Sequence, residues 1–235
     1  MRKILVITYY WPPAGGPGVQ RMLKFVKYLV REGYHVQVLT VEGGEYPALD
    51  QSLVEDVPEE VLVTRVNAIE PNRLYKGFTG RSQGEHIPVA VLGKTQRGWK
   101  ERMAAWVRMN LFIPDAKIAW VIPAVKAGKK MMKVPQGFDL ILSSSPPPSV
   151  HLVARRLARW SGVPWIADFR DPWTKIHYYS KKRTWIAQSI DEALERKVVR
   201  DCAALTCVSH QFLQLLPDAG PKAKVIPNGF DEDDI

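Results

Sequence analysis

Two cysteines, Cys202 and Cys207, are all that 235 residues contain, and their spacing matches neither a disulfide framework nor a zinc-binding pattern. A small secreted domain stapled by disulfides is excluded, and a reducing cytoplasm is the expected compartment. Long apolar runs are also missing: nowhere do about eighteen apolar residues run together, as a membrane-spanning helix requires. The apolar run after Arg2 and Lys3 has about six residues, too few for the core of a secretory signal. A soluble chain, or one peripheral to a membrane, is expected. The five histidines, His35, His86, His151, His177 and His210, lack metal-ligand spacing. No Gly-x-Ser-x-Gly elbow, His-Glu-x-x-His helix or paired-cysteine motif is present, which weakens hydrolase and metalloenzyme readings.

What the chain does have is apolar and basic side chains. Hydrophobic residues make up 46% of it, enough to bury a sizeable core in one large domain or two small ones. The formal net charge is +9 and unevenly spread. Residues 97–133 carry nine basic groups (Arg97, Lys100, Arg102, Arg108, Lys117, Lys126, Lys129, Lys130, Lys133) against the acidic Glu101 and Asp115. Such a cluster attracts polyanions, whether an anionic bilayer, phosphorylated ligands or nucleic acid; solvated helix faces give the same composition. No recognised nucleic-acid motif accompanies it, so no nucleic-acid partner is expected.

Short apolar runs alternate with amphipathic ones along the chain. The pattern predicts strand 3–8, helix 18–32 closed by Gly33, strand 34–41 and a strand near 61–66. A stretch over 67–98, rich in glycine, charge and polar residues, reads as a mobile loop or insertion. Helices over 99–111 and 118–133 follow, split by Ile113-Pro114-Asp115, with the proline stopping the first and the aspartate as a cap for the second. Then come strand 138–143, helix 148–161 closed by Gly162, strand 164–168, helix 183–200, strand 203–208, a short helix 209–216 and strand 224–227. Each strand is followed by a crossover, which implies an α/β, Rossmann-like three-layer domain with a mainly parallel sheet.

In such sheets ligands sit beyond the carboxyl ends of the strands. Three segments belong on that rim. The first is Tyr9-Tyr10-Trp11-Pro12-Pro13-Ala14-Gly15-Gly16-Pro17-Gly18, a Gly-rich loop entering a helix whose free N–H groups attract phosphate. Its spacing is neither Gly-x-Gly-x-x-Gly nor a P-loop; a tight strand-to-helix turn is the alternative reading, and the three aromatics Tyr9, Tyr10 and Trp11 beside the glycines favour a ligand-lined cleft. The second is Ser143 to Ser149, in which Ser144 and Ser145 read either as ligand groups or as helix caps. The third, Asp168-Phe169-Arg170-Asp171-Pro172-Trp173, packs two carboxylates and a guanidinium together. There Arg170 is either a ligand contact or a loop pin paired with Asp168 or Asp171. Asp171 before Pro172 suits an extended turn, and Trp173 suits a core position as well as a cleft.

Taken together these motifs resemble the N-terminal half of family 4 glycosyltransferases of the GT-B fold, nearly end to end. The first loop with Trp11-Pro12-Pro13-Ala14-Gly15-Gly16 and Gln20-Arg21, the loop Ser143-Ser144-Ser145-Pro146 and the strand and loop Val163 to Trp173 each look like family segments. The most specific match is Val225-Ile226-Pro227-Asn228-Gly229-Phe230-Asp231, which looks like the signature where such enzymes cross between domains. The resemblance implies a Rossmann-like domain over 1–227, an interdomain linker beginning at 228–235, and an absent C-terminal domain carrying most donor contacts.

By that resemblance the full enzyme moves a sugar from a nucleotide-sugar donor to a glycan or lipid-linked acceptor with retention, needs no cofactor or metal, and is inactive as this fragment. Gly15 and Gly16 are then expected at the donor phosphates, and Tyr10, Trp11, Gln20, Arg21, Ser144, Ser145 and Trp173 around the acceptor. Asp168, Arg170 and Asp171 are the candidates for the chemistry; Arg170 stands where several relatives carry a histidine. Trp99, Met103 and Trp106, spaced by four and three positions among basic residues, form either an interfacial stripe against the anionic inner face of a membrane or a stripe buried on the sheet.

Two other classes remain. A stand-alone module binding a glycan or phospholipid without turnover fits the same residues. A nucleotide-binding oxidoreductase shares the alternation, but lacks the third fingerprint glycine and ends its second strand in Glu42-Gly43-Gly44-Glu45.

Overall fold

A computed structural model describes residues 2–44, 46, 48–68, 99–133, 137–175, 183–216 and 218–232. The expected loop or insertion over 67–98 lies, beyond Ala68, outside the described residues, as do Arg97 and most of the segment that follows Thr174.

Seven strands form one parallel sheet in the order β3-β2-β1-β4-β5-β6-β7. They are β1 Lys3–Thr8, β2 His35–Glu42, β3 Leu62–Asn67, β4 Leu140–Ser145, β5 Trp165–Phe169, β6 Ala204–Cys207 and β7 Ala223–Val225. A central parallel strand is covered on both faces, so its sequence runs apolar instead of alternating. Leu5, Val6 and Ile7 of β1 are accordingly all fully buried.

The two faces are covered unequally. On one lies helix α1, Pro17–Arg31. Its Val19, Met22, Leu23 and Val26 repeat at three- and four-residue steps and pack with Ile4, Val6, Val36, Val38 and Leu142 of the sheet. Burying each such side chain contributes about 2 kcal/mol. On the other face lie α3 (Val121–Met132), α4 (Ser149–Ser161) and α5 (Trp185–Asp201), packed over Leu5, Ile7, Leu39, Ile141, Trp165, Phe169 and Leu205. Helix α2, Trp99–Asn110, precedes α3, and the four-residue α6, His210–Leu213, follows β6.

Most predicted elements stand within a residue or two of their expected limits. Gly33 and Gly162 close α1 and α4 with positive φ as expected. Two details differ. Ser144 and Ser145 are the last residues of β4, not helix caps, because both still pair in register with Asp168 and Phe169 of β5. Asp115 is not confined to its own helix: besides accepting from the Lys117 N–H, it caps α4, accepting from the Ser149 N–H at 2.8 Å and from its hydroxyl. That cap comes from a residue 34 positions away in sequence, and no local pattern announces it.

Candidate functional site

Beyond the carboxyl ends of β1, β4, β5 and β6 the side chains fall into two groups. The first centres on Asp168, fully buried at the end of β5. Its Oδ1 accepts from Arg21 Nη2 (2.9 Å) and Thr206 Oγ1 (2.7 Å); its Oδ2 accepts from Arg21 Nε (3.2 Å) and Ser144 Oγ (2.7 Å). One carboxylate thereby ties α1, β4 and β6 to β5, and its four acceptor sites are filled.

Arg21 is equally occupied. Besides the two bonds to Asp168, its Nη2 donates to the Ile226 carbonyl at 2.9 Å, and its Nη1 to the Pro227 carbonyl at 3.0 Å and to Asn228 Oδ1 at 3.1 Å. All five guanidinium N–H groups are spent inside the fold, while the plane lies 4.5 Å over the Phe25 ring. A buried pair of this kind is costly to break, about 3–5 kcal/mol, because the remaining charge has no water. Further along α1, Lys24 and Lys27 each reach Asp231 at 2.8 Å, and Tyr28 donates to it at 2.8 Å. The residues of the crossing signature, 226–231, are thus pinned to α1. An open cavity of ≈ 590 Å³ is lined by Ser209, His210, Lys224 and Pro227 among others.

The second group is the entry to α1. Gly15 donates its N–H to the Ala48 carbonyl (2.9 Å), and Asp50 N–H returns to Pro13 (2.8 Å), so the loop is braced by residues 48–50. Gly16 caps α1 with φ +105°, a region that favours glycine, and no side chain caps the helix. Pro17 fills the first helical position, and no acidic residue stands in the first turn. Against this turn lies Arg170: a Cβ on Gly18 would stand 2.6 Å from its Nη1, so only glycine admits the guanidinium this close. Nη2 of Arg170 pairs with Asp171, and its Nε is buried with no hydrogen-bond partner. A cation laid on the positive end of a helix is an unfavourable pairing unless an anion completes it.

The remaining predicted residues are distributed as follows. Tyr10 is half-buried, edge-on to Tyr9 (5.2 Å) and Tyr46 (6.5 Å). Trp11 is buried in the core under α1, with its indole N–H unpartnered among the described residues. Gln20 is exposed. Ser145 is buried and its carbonyl accepts from the Arg170 N–H at 3.3 Å. Trp173 is a core residue, 4% exposed, whose Nε1 donates to Asp191 at 2.8 Å.

Behind Trp173 stands a buried polar layer that sequence reasoning missed. Asp191 pairs with Arg183, and Glu195 accepts from Thr174 Oγ1 at 2.5 Å. Burial raises the Asp191 carboxyl to about 6, against the pull of Arg183, and raises Glu195 and Asp115 too. His151 is buried and stacked on Phe169 at 4.5 Å. Its Nδ1 meets Ser143 Oγ (2.8 Å), which itself accepts from Trp165 Nε1 (2.7 Å). Burial holds the imidazole neutral, with its pKa down to about 3. Helical spacing hides these groups, since Asp191 and Glu195 read as the polar side of an amphipathic helix.

The α2 stripe is exposed: Trp99 70%, Met103 49% and Trp106 52%. Trp185, Ile186 and Ile190 of α5 are exposed as well, and the two helices meet where Thr184 N–H donates to Asn110 Oδ1 at 2.7 Å. Among the described residues no group of histidines, cysteines and carboxylates can hold a metal ion, and no helix is long and apolar enough to cross a membrane.

No curated protein matches the chain. HepE of Anabaena, solved with UDP-glucose, superposes with a TM-score of 0.55 at 15% identity over 98% of this chain and 45% of its own. MurG of Acinetobacter baumannii gives 0.50 at 12% identity over 97% and 45%, and apo UGT2 of Phytolacca americana 0.52 at 12% over 98% and 52%. These likenesses are to the fold, and the chain spans about half the length of the solved proteins it matches. The glycosyl transferase 4-like domain model matches residues 15–229, a span running from the glycine loop of α1 to the pinned signature. With that match and its Rossmann-like GT-B sheet, the chain belongs to the family of glycosyl transferase 4-like domains.

Proposed function

We propose that this chain is the acceptor-side half of a retaining glycosyltransferase, which moves a sugar from a nucleotide-sugar to a glycan or lipid-linked acceptor and is inactive without a donor-binding partner domain. The observation that carries the reading is the uncapped first turn of α1 with the Arg170 guanidinium laid on Gly18. A nucleoside diphosphate is the leaving group of such a transfer, and its developing charge suits backbone N–H groups and a guanidinium held in place beforehand. Neither a cofactor nor a metal ion is needed for that role. Solved relatives by fold carry UDP or UDP-glucose, which fits the same ligand class here. Gly15, whose N–H is already spent, braces the loop; Gly16, Gly18 and Arg170 face the phosphates. Of the residues expected around the acceptor, Tyr10 and Gln20 alone are not buried and are left to meet it, and Asp171 pairs with the Arg170 guanidinium.

Titration of UDP into the chain, followed by calorimetry, tests this reading. Binding that falls about tenfold or more in Arg170→Gln, the worth of a charge-assisted hydrogen bond, supports it; equal binding by both proteins sinks it.

The exposed faces of α2 and α5 favour a membrane-surface acceptor. Trp99, Trp106 and Trp185 suit the headgroup level of a bilayer, and Arg102 and Arg108 suit anionic lipid. The chain is expected to pellet with anionic vesicles at low salt and to lose this in Arg102→Glu/Arg108→Glu; pelleting that ignores the charge reversal removes the membrane from the scheme.

A further inference from the structure

Helix α1 does two things at once. Its first turn faces the candidate anion site, and its next two turns hold the chain that leaves the sheet. β7 is an edge strand, separated from β1 by β4, β5 and β6. Residues 226–231 nevertheless return across the rim to α1 as a strap. Ile226 N–H donates to the Cys207 carbonyl of β6 at 2.8 Å; after that point Arg21 takes the carbonyls of Ile226 and Pro227 and the Asn228 side chain. Lys24, Lys27 and Tyr28 then enclose Asp231, whose side chain is fully buried.

We propose that α1 couples the two functions, so that an anion at Gly16–Gly18 and the hold on the strap reinforce each other, with Arg21 as the positioning residue between them. The inference rests on the anion reading given above. Both walls of that site converge on one ion pair: Arg21 stands one turn beyond Gly18 on α1, and Asp168 stands two residues before Arg170 on β5. A ligand bridging the α1 N-terminus and Arg170 fixes α1 relative to β5, and it is the outer N–H groups of Arg21, aimed by Asp168, that grip the strap. Gly18 already touches the guanidinium, and close-packed elements shift between discrete arrangements instead of deforming gradually. Arg21 itself has no N–H left for a ligand, so its influence on binding is exerted through the strap and Asp168.

Phe230, 78% exposed on the strap, offers a reporter: Phe230→Cys carries a nitroxide, while Cys202 and Cys207 are buried. Inorganic pyrophosphate is the probe, with label mobility read by electron paramagnetic resonance and affinity by calorimetry on the same protein. Pyrophosphate is expected to raise the immobile-to-mobile ratio about fivefold, and releasing the strap with Asp231→Asn to lower pyrophosphate affinity by the same factor, since coupling is reciprocal. Arg21→Lys keeps the charge beside Asp168 but loses the fork that holds Ile226, Pro227 and Asn228, and is expected to free the label and to lower pyrophosphate affinity more strongly than Asp231→Asn. Should that variant not fold, Asp231→Asn carries the test, because it lies outside the buried pair. A mobile label with unchanged pyrophosphate affinity overturns the coupling alone. Failure of the wild-type chain to bind pyrophosphate overturns the anion reading first and the coupling with it.

Discussion

Asp168 and Arg170 are two residues apart and both charged, yet their surroundings are opposite. Asp168 is fully buried with every acceptor site filled by Arg21, Ser144 and Thr206. Arg170 keeps about a fifth of its side chain exposed, is matched by Asp171 alone among the described carboxylates, and is pressed on a helix end of its own sign. The difference separates a charge that holds a fold together from a charge held ready for a partner. The first kind is compensated from within; the second is left incomplete where solvent and ligand can reach it.

The sharpest way to break this comparison is to neutralise each charge. Asp168→Asn removes the partner of a buried guanidinium, and the chain is expected to lose about 3–5 kcal/mol in urea unfolding. Arg170→Gln is expected to stay within about 0.5 kcal/mol of the parent, because its one ion pair among the described residues is to Asp171, a side chain open to water, while nucleoside diphosphate binding drops. Equal losses of stability would erase the distinction. Gly18→Val sharpens it from the helix side. A Cβ there meets only the far end of the Arg170 side chain, which can swing away, so stability should change by about 1 kcal/mol or less. UDP binding should fall with Arg170 displaced, and an unaffected titration would count against the close approach.

A smaller effect concerns pH. Asp191, raised to about 6 in the fold from an ordinary value near 3.8, gives stability that is present at low pH and lost as pH rises from about 4 through 6, since the folded state holds the proton longer. His151, lowered to about 3 from 6.5, acts in the opposite sense: its stability is present above 6.5 and lost as pH falls toward 3. The two slopes oppose between about 4 and 6. Urea midpoints across that range should slope more steeply upward with pH in Asp191→Asn than in the parent, and less steeply in His151→Gln. Parallel curves for all three would mean that the buried layer behind Trp173 does not titrate with the fold.

Much of the fold was legible because its signals are local. The apolar run of β1, the stripe Val19, Met22, Leu23 and Val26, and the closing glycines Gly33 and Gly162 are set by period and backbone conformation alone. The membrane-facing or buried state of the α2 stripe was not legible, since an amphipathic pattern fixes that one side is apolar and leaves open what covers it. Trp173 was equally ambiguous: its place in the core depends on Asp191, eighteen residues on.

By itself the sequence determined the alternation of strands and crossovers, the parallel sheet, the glycine loop at the start of α1 and the rim on which the charged residues gather, because each follows from spacing, chirality and turn chemistry along a few neighbouring residues. Only the tertiary structure decided which charges close on themselves. Arg21 meets residues 147 and more positions away, Asp115 caps a helix that begins 34 positions further on, and Arg170 lies over Gly18. Those pairings depend on distances across the fold, which no local pattern in the chain encodes.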